Sequence, residues 1–571
     1  MTLNFELQNR LRFKFKDESL VDVPGVKFNK LWNVPKNCIN LLSGEQKVKA
    51  QAELAAAKDA AGLILAQKRT QLEMTNTLRP FTLYPWQDNA VLQNYFKRSV
   101  YLFHAGGAGK TLTAFYLNAL DDTPLVYVTL SYLMPNVVRE WQLRMNRPIY
   151  RIEGREPDED FIKEAVQARA LILCNYNLLP YWTDVLVRNC AGASVVYDEA
   201  HVINNPKRTS RSVDADTELI RYEPITTTSG TYGVNYCQTL LAEQASRIMA
   251  LSATPASIRS DWWHMLDTME PLCWGSFWKY AARYCDMQPN MITDKQGNTT
   301  QRGYTHKGAT NSTEFQARIA TLISRVRKEE VNAVLPPLRI EVIPLGPKDV
   351  VGASKILLKA VKDVGRVNPR ALMWAELDLI CSKKSSWLLE DMTETFRQGK
   401  EKLCLFLYMR RTVKWYVDLF ESELKLLSKA AGKPVGIDWV TSEVDSDARF
   451  SLLDNYLSND TGPRILIATG DSLGTGSNMQ NVDVAYFGSV PYEYQKIGQW
   501  IPRFHRPGGI KTVQIKIPYV QGSKEETIHE KLLSKLDTFT EDDMDQQVTA
   551  LRSALESFDE EAALASILGK Y

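Results

Sequence analysis

From about residue 83 onward, short apolar runs alternate with segments of helical period: Val100 to Phe103, Leu125 to Thr129, Ala170 to Cys174, Ser194 to Tyr197 and Ile248 to Leu251. Apolar runs of strand length separated by helical patterns predict a parallel sheet covered by helices. A second series follows in Leu403 to Tyr408, Ile437 to Val440, Ile465 to Ala468, Val482 to Phe487 and Val513 to Ile517. The simplest account is two α/β lobes. Residues 338–400 between them carry helical patterning and charge, and are expected to form a helical insertion or connector. Residues 45–75 are rich in Ala, Lys, Gln and Glu and lack proline, which predicts one long helix. Ahead of it, Phe13 and Phe15 alternate with basic residues, and Val21 and Val23 lead into a Pro24-Gly25 turn before Val26, Phe28 and Leu31 to Pro35. That pattern predicts a small β-rich module closed by a short helix. The expected organisation is therefore residues 1–44 as this module, 45–78 as a linker helix, 79–337 and 401–540 as the lobes, 338–400 as the connector and 541–571 as a helical tail.

Two of the apolar strands end in residues with recognisable chemistry. Val100 to Phe103 runs into His104-Ala105-Gly106-Gly107-Ala108-Gly109-Lys110-Thr111 and then a helix from Leu112. Glycines at 106, 107 and 109 let the backbone turn its N–H groups toward one point, and the helix N-terminus adds positive potential there. This is a phosphate cradle in which Lys110 reaches the β- and γ-phosphates and Thr111 offers a hydroxyl to Mg2+. His104 stands where the longer GxxxxGK[ST] pattern begins with glycine, so the match is to the shorter GxGKT form. The strand Ser194 to Tyr197 ends in Asp198-Glu199-Ala200-His201. Asp198 suits the metal and Glu199 suits the water that attacks the γ-phosphate. Each motif alone arises by chance in long chains. Both together, in chain order and each behind an apolar strand, point to ATP and Mg2+.

Composition narrows the rest. Lys and Arg number 69 against 67 for Asp and Glu, a net charge of +2, so any nucleic-acid contact must come from local patches such as residues 204–212, 325–328 and 410–414. The eight cysteines form no CxxC pair, which argues against structural zinc, and several lie in apolar runs as buried thiols suited to a reducing compartment. The N-terminus lacks the apolar core of a secretion signal, and no apolar stretch reaches roughly 18 residues. The expectation is a soluble intracellular protein, cytoplasmic or, in a eukaryote, nuclear, with no membrane partner.

Read together, these segments resemble the superfamily 2 helicase core, and within it the Swi/Snf-type DNA translocases, over about residues 80 to 540. Leu83 to Gln87 (LYPWQ) is similar to the adenine-recognising Q motif, Leu125 to Trp141 to motif Ia, and Leu251 to Pro255 (LSATP) to motif III. Phe277 to Asp286, Gly308 to Phe315 and Ile323 to Pro336 resemble, in this order, the end of a Swi/Snf first lobe, and the annealing-helicase branch most. Gly474 to Met479 resembles motif V, and Gln499 to Gly508 (QWIPRFHRPG) motif VI, with Pro502 in place of its usual glycine. Ser523 to Ile528 resembles a brace helix. The sequence PGVKFNKLWNVP resembles the HARP domain that annealing helicases carry ahead of their motor.

The resemblance implies an α/β fold of two RecA-like parallel-sheet lobes with helical insertions. It implies catalytic roles for Lys110, Asp198, Glu199, Arg503 and Arg506, the last two as arginine fingers. Nucleotide contacts fall on Gln87, Gly107, Ala108, Gly109, Lys110, Thr111, Gly476 and Gln499, and Mg2+ on Thr111 and Asp198. His201, Ser252 and Thr254 would couple hydrolysis to lobe movement. The implied activity is an ATP-dependent translocase or helicase on duplex, forked or single-stranded DNA, in fork remodelling, annealing, recombination or repair. Two readings compete: a strand-separating DNA or RNA helicase, and a nucleotide-gated DNA-binding scaffold without turnover. Protein partners are not indicated.

Overall fold

The protein is represented by a computed structural model that describes residues 10–13, 23, 27–29, 31–75, 77–105, 107–200, 209–213, 220–224, 234–252, 259–271, 273–293, 299–306, 308–327, 330–331, 335–346, 380–458, 462–473, 479–489, 500–501, 503–505, 511–523 and 525–526. The chain divides into two compact units, Met1–Ala105 with Gly109–Val326, and Arg327–Tyr571 with Gly106–Ala108.

In the first unit, β1 (Arg10–Phe13), β2 (Lys27–Asn29) and β3 (Leu31–Pro35) form a three-stranded antiparallel sheet in the order β1-β3-β2, followed by the 3-10 turn Lys36–Leu41. The long helix α1 (Gly44–Met74) follows, as its alanine-rich sequence predicts. It buries Leu65 and Leu72 against the larger domain, and Arg69 pairs with Asp88 at 2.6 Å.

The main sheet of this unit contains β4 (Ser99–His104), β5 (Leu125–Thr129), β6 (Ile149–Arg151), β7 (Leu171–Asn175) and β8 (Ser194–Asp198). The hairpin β9 (Thr209–Val213) and β10 (Ile220–Pro224) precedes β11 (Arg247–Leu251), and a second hairpin, β12 (Gln288–Thr293) and β13 (Thr299–Thr305), precedes β14 (Ile323–Val326). The sheet order is β14-β4-β11-β8-β5-β7-β6, and every neighbouring pair is parallel. Alternate residues serve opposite faces. Tyr101, Val126, Val128, Val195 and Tyr197 pack into one core, while Val100, Leu102, Tyr127, Val196 and Met249 pack into the other. Burial on both faces explains why these strands read as unbroken apolar runs.

The second unit repeats this plan with β15 (Leu338–Leu345), β16 (Lys402–Leu407), β17 (Gly436–Val440), β18 (Arg464–Thr469), β19 (Val484–Phe487) and β20 (Val513–Val520). Its order is β15-β20-β19-β16-β18-β17, again parallel throughout. The fold is thus the expected α/β class with two parallel-sheet lobes.

The segment 338–400 departs from the helical connector expected of it. It opens with β15, which takes its register from β20, Leu338 opposite Val513 and Leu345 opposite Val520. It ends in a helix, Ser385–Arg397, whose Leu388, Met392 and Phe396 enter the core of the second lobe. Both pieces belong to that lobe because each has an apolar face to bury. The boundary between units accordingly falls after Val326, not after residue 337. Among the described residues no helix is long and apolar enough to cross a membrane. The expected tail, 541–571, lies outside the described residues.

Candidate nucleotide site

Parallel strands all present their carboxyl ends at one edge of the sheet, which is where ligands bind in open α/β folds. In the first lobe that edge collects the ends of β4, β11, β8 and β5. Leu251 on β11 lies opposite Leu102 on β4 and opposite Asp198 on β8. The residues that follow, His104 and the glycine loop, Ser252, Asp198-Glu199 and Thr129, therefore share one rim.

The loop after β4 turns into α2's neighbour in the fold through two left-handed glycines, where α2 is Pro85–Asn94 and the helix that the loop opens is α3 (Lys110–Asp121). Gly107 has φ +82° and Gly109 φ +81°. Only glycine holds such angles cheaply. A Cβ on Gly109 would lie 2.0 Å from Gln87 Nε2, so the residue is also a close approach. Gln87 is buried, its Oε1 accepts from Tyr84 N–H at 2.9 Å, and its Nε2 reaches Gly109 O at 3.5 Å. Gln87 and the glycine loop are thus in direct contact. Lys110 Nζ donates to His104 O at 3.2 Å, which tethers the lysine to the start of its own loop. His104 is fully buried, and its Nε2 lies 3.2 Å from Ser324 Oγ on β14. Burial, with Lys110 beside it, pushes His104 down to about 3, so its ring is neutral.

Asp198 ends β8 within a shell of polar groups. Thr129 Oγ1 donates to Asp198 Oδ2 at 3.2 Å, Glu199 N–H donates to Asp198 Oδ1 at 3.0 Å, and Tyr176 OH donates to Asp198 O at 2.7 Å. Burial pushes the Asp198 carboxyl up to about 6, and Glu199 adds to the effect, while Tyr127 and Lys110 pull it down. A carboxyl held this way gains from a cation brought to it. Glu199 has φ +50°, a left-handed backbone that costs a non-glycine residue energy.

The donor set fits Mg2+ bound with a nucleotide. The Tyr127 hydroxyl is buried beside Thr111 and Asp198, so a second hydroxyl and the carboxylate converge with Thr111 at one point. Among the described residues no three His, Cys, Asp or Glu side chains are grouped to hold a metal. One carboxylate and one hydroxyl, completed by phosphates and water, is how Mg2+ is usually held.

The structure brings Gln87, Gly109, Lys110, Thr111, Asp198, Glu199 and Ser252 to this rim, while Gly107 and Ala108 are grouped with the other compact unit; Ser252 is buried, with its N–H 3.4 Å from Leu102 O. Arg503 belongs to the second lobe, where it is buried and its carbonyl accepts from Met479 N–H at 2.9 Å. His201, Thr254, Gly476, Gln499 and Arg506 lie outside the described residues. Thr129, Tyr176, Tyr127 and Ser324 are site residues that the sequence reading did not assign. The one signal available for Thr129 was a hydroxyl ending an otherwise apolar strand.

No family model matches the sequence, and no curated protein matches it. Solved structures do match. A SWI2/SNF2 ATPase core from Sulfolobus solfataricus in complex with double-stranded DNA is 17% identical, covers 85% of this chain and 97% of its own, and has a TM-score of 0.36. The ATP-dependent type ISP restriction-modification enzyme LlaBIII bound to DNA is 14% identical, with a TM-score of 0.47; the match covers 84% of this chain and 30% of that one.

Proposed function

We propose that the protein is an ATP-driven DNA translocase of the superfamily 2, Swi/Snf type, acting on duplex or branched DNA. The observation that carries the ATPase part is the contact of Gln87 with Gly109 on the same strand-end rim as Lys110 and Asp198. In this reading Gln87 reads the base, the backbone N–H groups of Gly107 to Thr111 hold phosphate, and Lys110 balances the β- and γ-phosphate charge. Thr111 and Asp198 hold Mg2+, which when bound neutralises charge developing on the phosphates. Glu199 orients and deprotonates the attacking water, and Ser252 lies on the strand end that would sense the change. Arg503 and Arg506 are assigned as arginine fingers by their motif.

The DNA track rests on the ordered motif resemblance, and backbone contacts should make binding weakly sequence-specific and strongly salt-dependent. We assign residues 1–44 as a HARP-like module and the chain to the annealing-helicase branch, with fork remodelling, annealing, recombination or repair as its setting. The three-stranded sheet β1-β3-β2 ahead of α1 supports a separate N-terminal module.

The test is steady-state phosphate release with ATP and magnesium, comparing no nucleic acid, single-stranded DNA, duplex DNA, forked DNA and RNA, with Lys110→Ala as blank. Stimulation by duplex or fork is expected. Preference for RNA or single strands would transfer the protein to the conventional helicases, and absence of Lys110-dependent turnover would make it a nucleotide-gated scaffold.

A further inference from the structure

The stretch from the helix Phe277–Tyr284 to residue 308 takes no part in the nucleotide site, yet it exposes large apolar side chains. Trp278 is 56% exposed, Met291 56% and Tyr304 47%. Isolated exposed apolar residues are ordinary, but here Trp278 and Tyr304 touch, with ring centroids 6.4 Å apart, although they sit on different elements. The arrangement is built. Phe277 packs edge-on against His306 at 5.2 Å, at the foot of the β12–β13 hairpin. Asp286, with φ +47°, leads into that foot, and its carboxylate accepts from Gln288 Nε2 at 2.9 Å. A Cβ on Gly308 would lie 2.5 Å from Asp286 Cβ, so the two ends of the insertion are pinched together.

The chemistry around the pair selects the partner. Neither strand of the hairpin, QPNMIT or TTQRGYT, contains a carboxylate, and the polar positions are amides, hydroxyls and one arginine. Lys279, next to Trp278, is exposed and makes no ion pair among the described residues. Aromatic faces beside an exposed lysine and a hairpin whose strands carry amides and hydroxyls but no carboxylate suit nucleic acid, and stacking faces suit bases that are not already stacked in a duplex.

We propose that Trp278 and Tyr304 form a stacking platform for unpaired DNA bases, with Lys279 on the adjoining phosphate. This deepens the translocase reading and rests on it: the platform would favour forks and bubbles over uninterrupted duplex.

The experiment measures anisotropy of full-length protein with a labelled fork bearing unpaired arms and with the matching fully paired duplex, each over a salt series. Trp278→Ala with Tyr304→Ala is expected to weaken fork binding roughly tenfold, the scale of losing base stacking, and to leave duplex affinity within about twofold. Trp278→Phe with Tyr304→Phe should restore most of the loss, and Lys279→Gln should lower the salt slope on the fork by about 0.7. Melting temperature equal to wild type confirms the fold of each variant. Unchanged fork affinity in the double alanine variant overturns the platform alone and leaves the aromatic pair to a protein contact; an equal loss on fork and duplex overturns it too. Wild-type protein that binds neither DNA overturns both the platform and the translocase reading.

Discussion

Thr129 Oγ1 donates to Asp198 Oδ2 at 3.2 Å between two adjacent parallel strands of the first lobe. The bond fixes one carboxylate oxygen from the side while Glu199 N–H fixes the other from the chain itself. Thr129→Val keeps the β-branched shape and removes the donor. Turnover is expected to fall roughly tenfold, equivalent to about 1.4 kcal/mol, with KM for ATP little changed. Thr129→Ser should recover most of it. Wild-type phosphate release by Thr129→Val would show that Asp198 needs no lateral support.

Asp198 is held as an acid that resists ionising. Its proton is bound more tightly in the folded chain than in the unfolded one, because burial raises it from 3.8 to about 6 and Glu199 adds to the effect. The sign follows directly: this group's contribution to stability is fully present below the unfolded value and is lost as pH rises through the folded value. Without nucleotide and magnesium, Asp198→Asn should therefore melt higher than wild type above pH 6 and lose that advantage near pH 4, while losing ATP hydrolysis. Adding magnesium with ADP should raise the wild-type melting temperature at pH 7.5 more than at pH 5, and should do less for Asp198→Asn. Differential scanning fluorimetry across pH reads both effects. A variant that melts lower than wild type at pH 7.5 would mean that the carboxylate is stabilised by its hydrogen bonds after all.

Gly109 has two independent reasons to be glycine: its φ of +81° and the 2.0 Å separation that a Cβ would have from Gln87 Nε2. Gln87 cannot swing aside freely, since it is buried and held by Tyr84 N–H. Gly109→Ala is expected to raise the dissociation constant for ATP at least tenfold by isothermal titration. Adding Gln87→Ala removes the collision and leaves the backbone strain, which costs about 1 kcal/mol. The double variant should therefore regain stability but remain impaired in nucleotide binding.

The sequence made the two sheets and the residues Gln87, Gly109, Lys110 and Asp198 legible because each sits in a local pattern of strand, turn and helix. Thr129 and Ser324 were not legible as site residues. Thr129 meets Asp198 and Ser324 meets His104 only because β5 neighbours β8 and β14 neighbours β4, and sheet order is set by crossovers that no short window contains. The same cause misled the reading of residues 338–345: Arg339 and Glu341 interrupt the apolar run on a strand at the sheet edge, and its partner β20 lies far along the chain. Trp278 lies on a helix and Tyr304 on the second strand of the hairpin that follows, so no short window contains their contact either.

In the second lobe Lys384 and Glu525 form an ion pair at 2.6 Å with side chains 0% and 2% exposed. Burying two charges is costly, and it is tolerated here because the lysine's three donors all have acceptors, Glu525 Oε1, Gly488 O and Pro518 O, while Glu525 Oε2 accepts from Val520 N–H at 3.1 Å. Removing one partner strands the other. Lys384→Met and Glu525→Gln are each expected to lower stability by about 3–5 kcal/mol. The double variant removes both charges and should cost clearly less than the sum, although Gly488 O and Pro518 O still lose a donor. A denaturant double-mutant cycle gives the coupling directly. Coupling near zero would show that the two charges are solvated separately in the folded lobe; strong coupling would identify the pair as the tie between the helix that Lys384 precedes and the segment after β20, where the sequence resembles a brace.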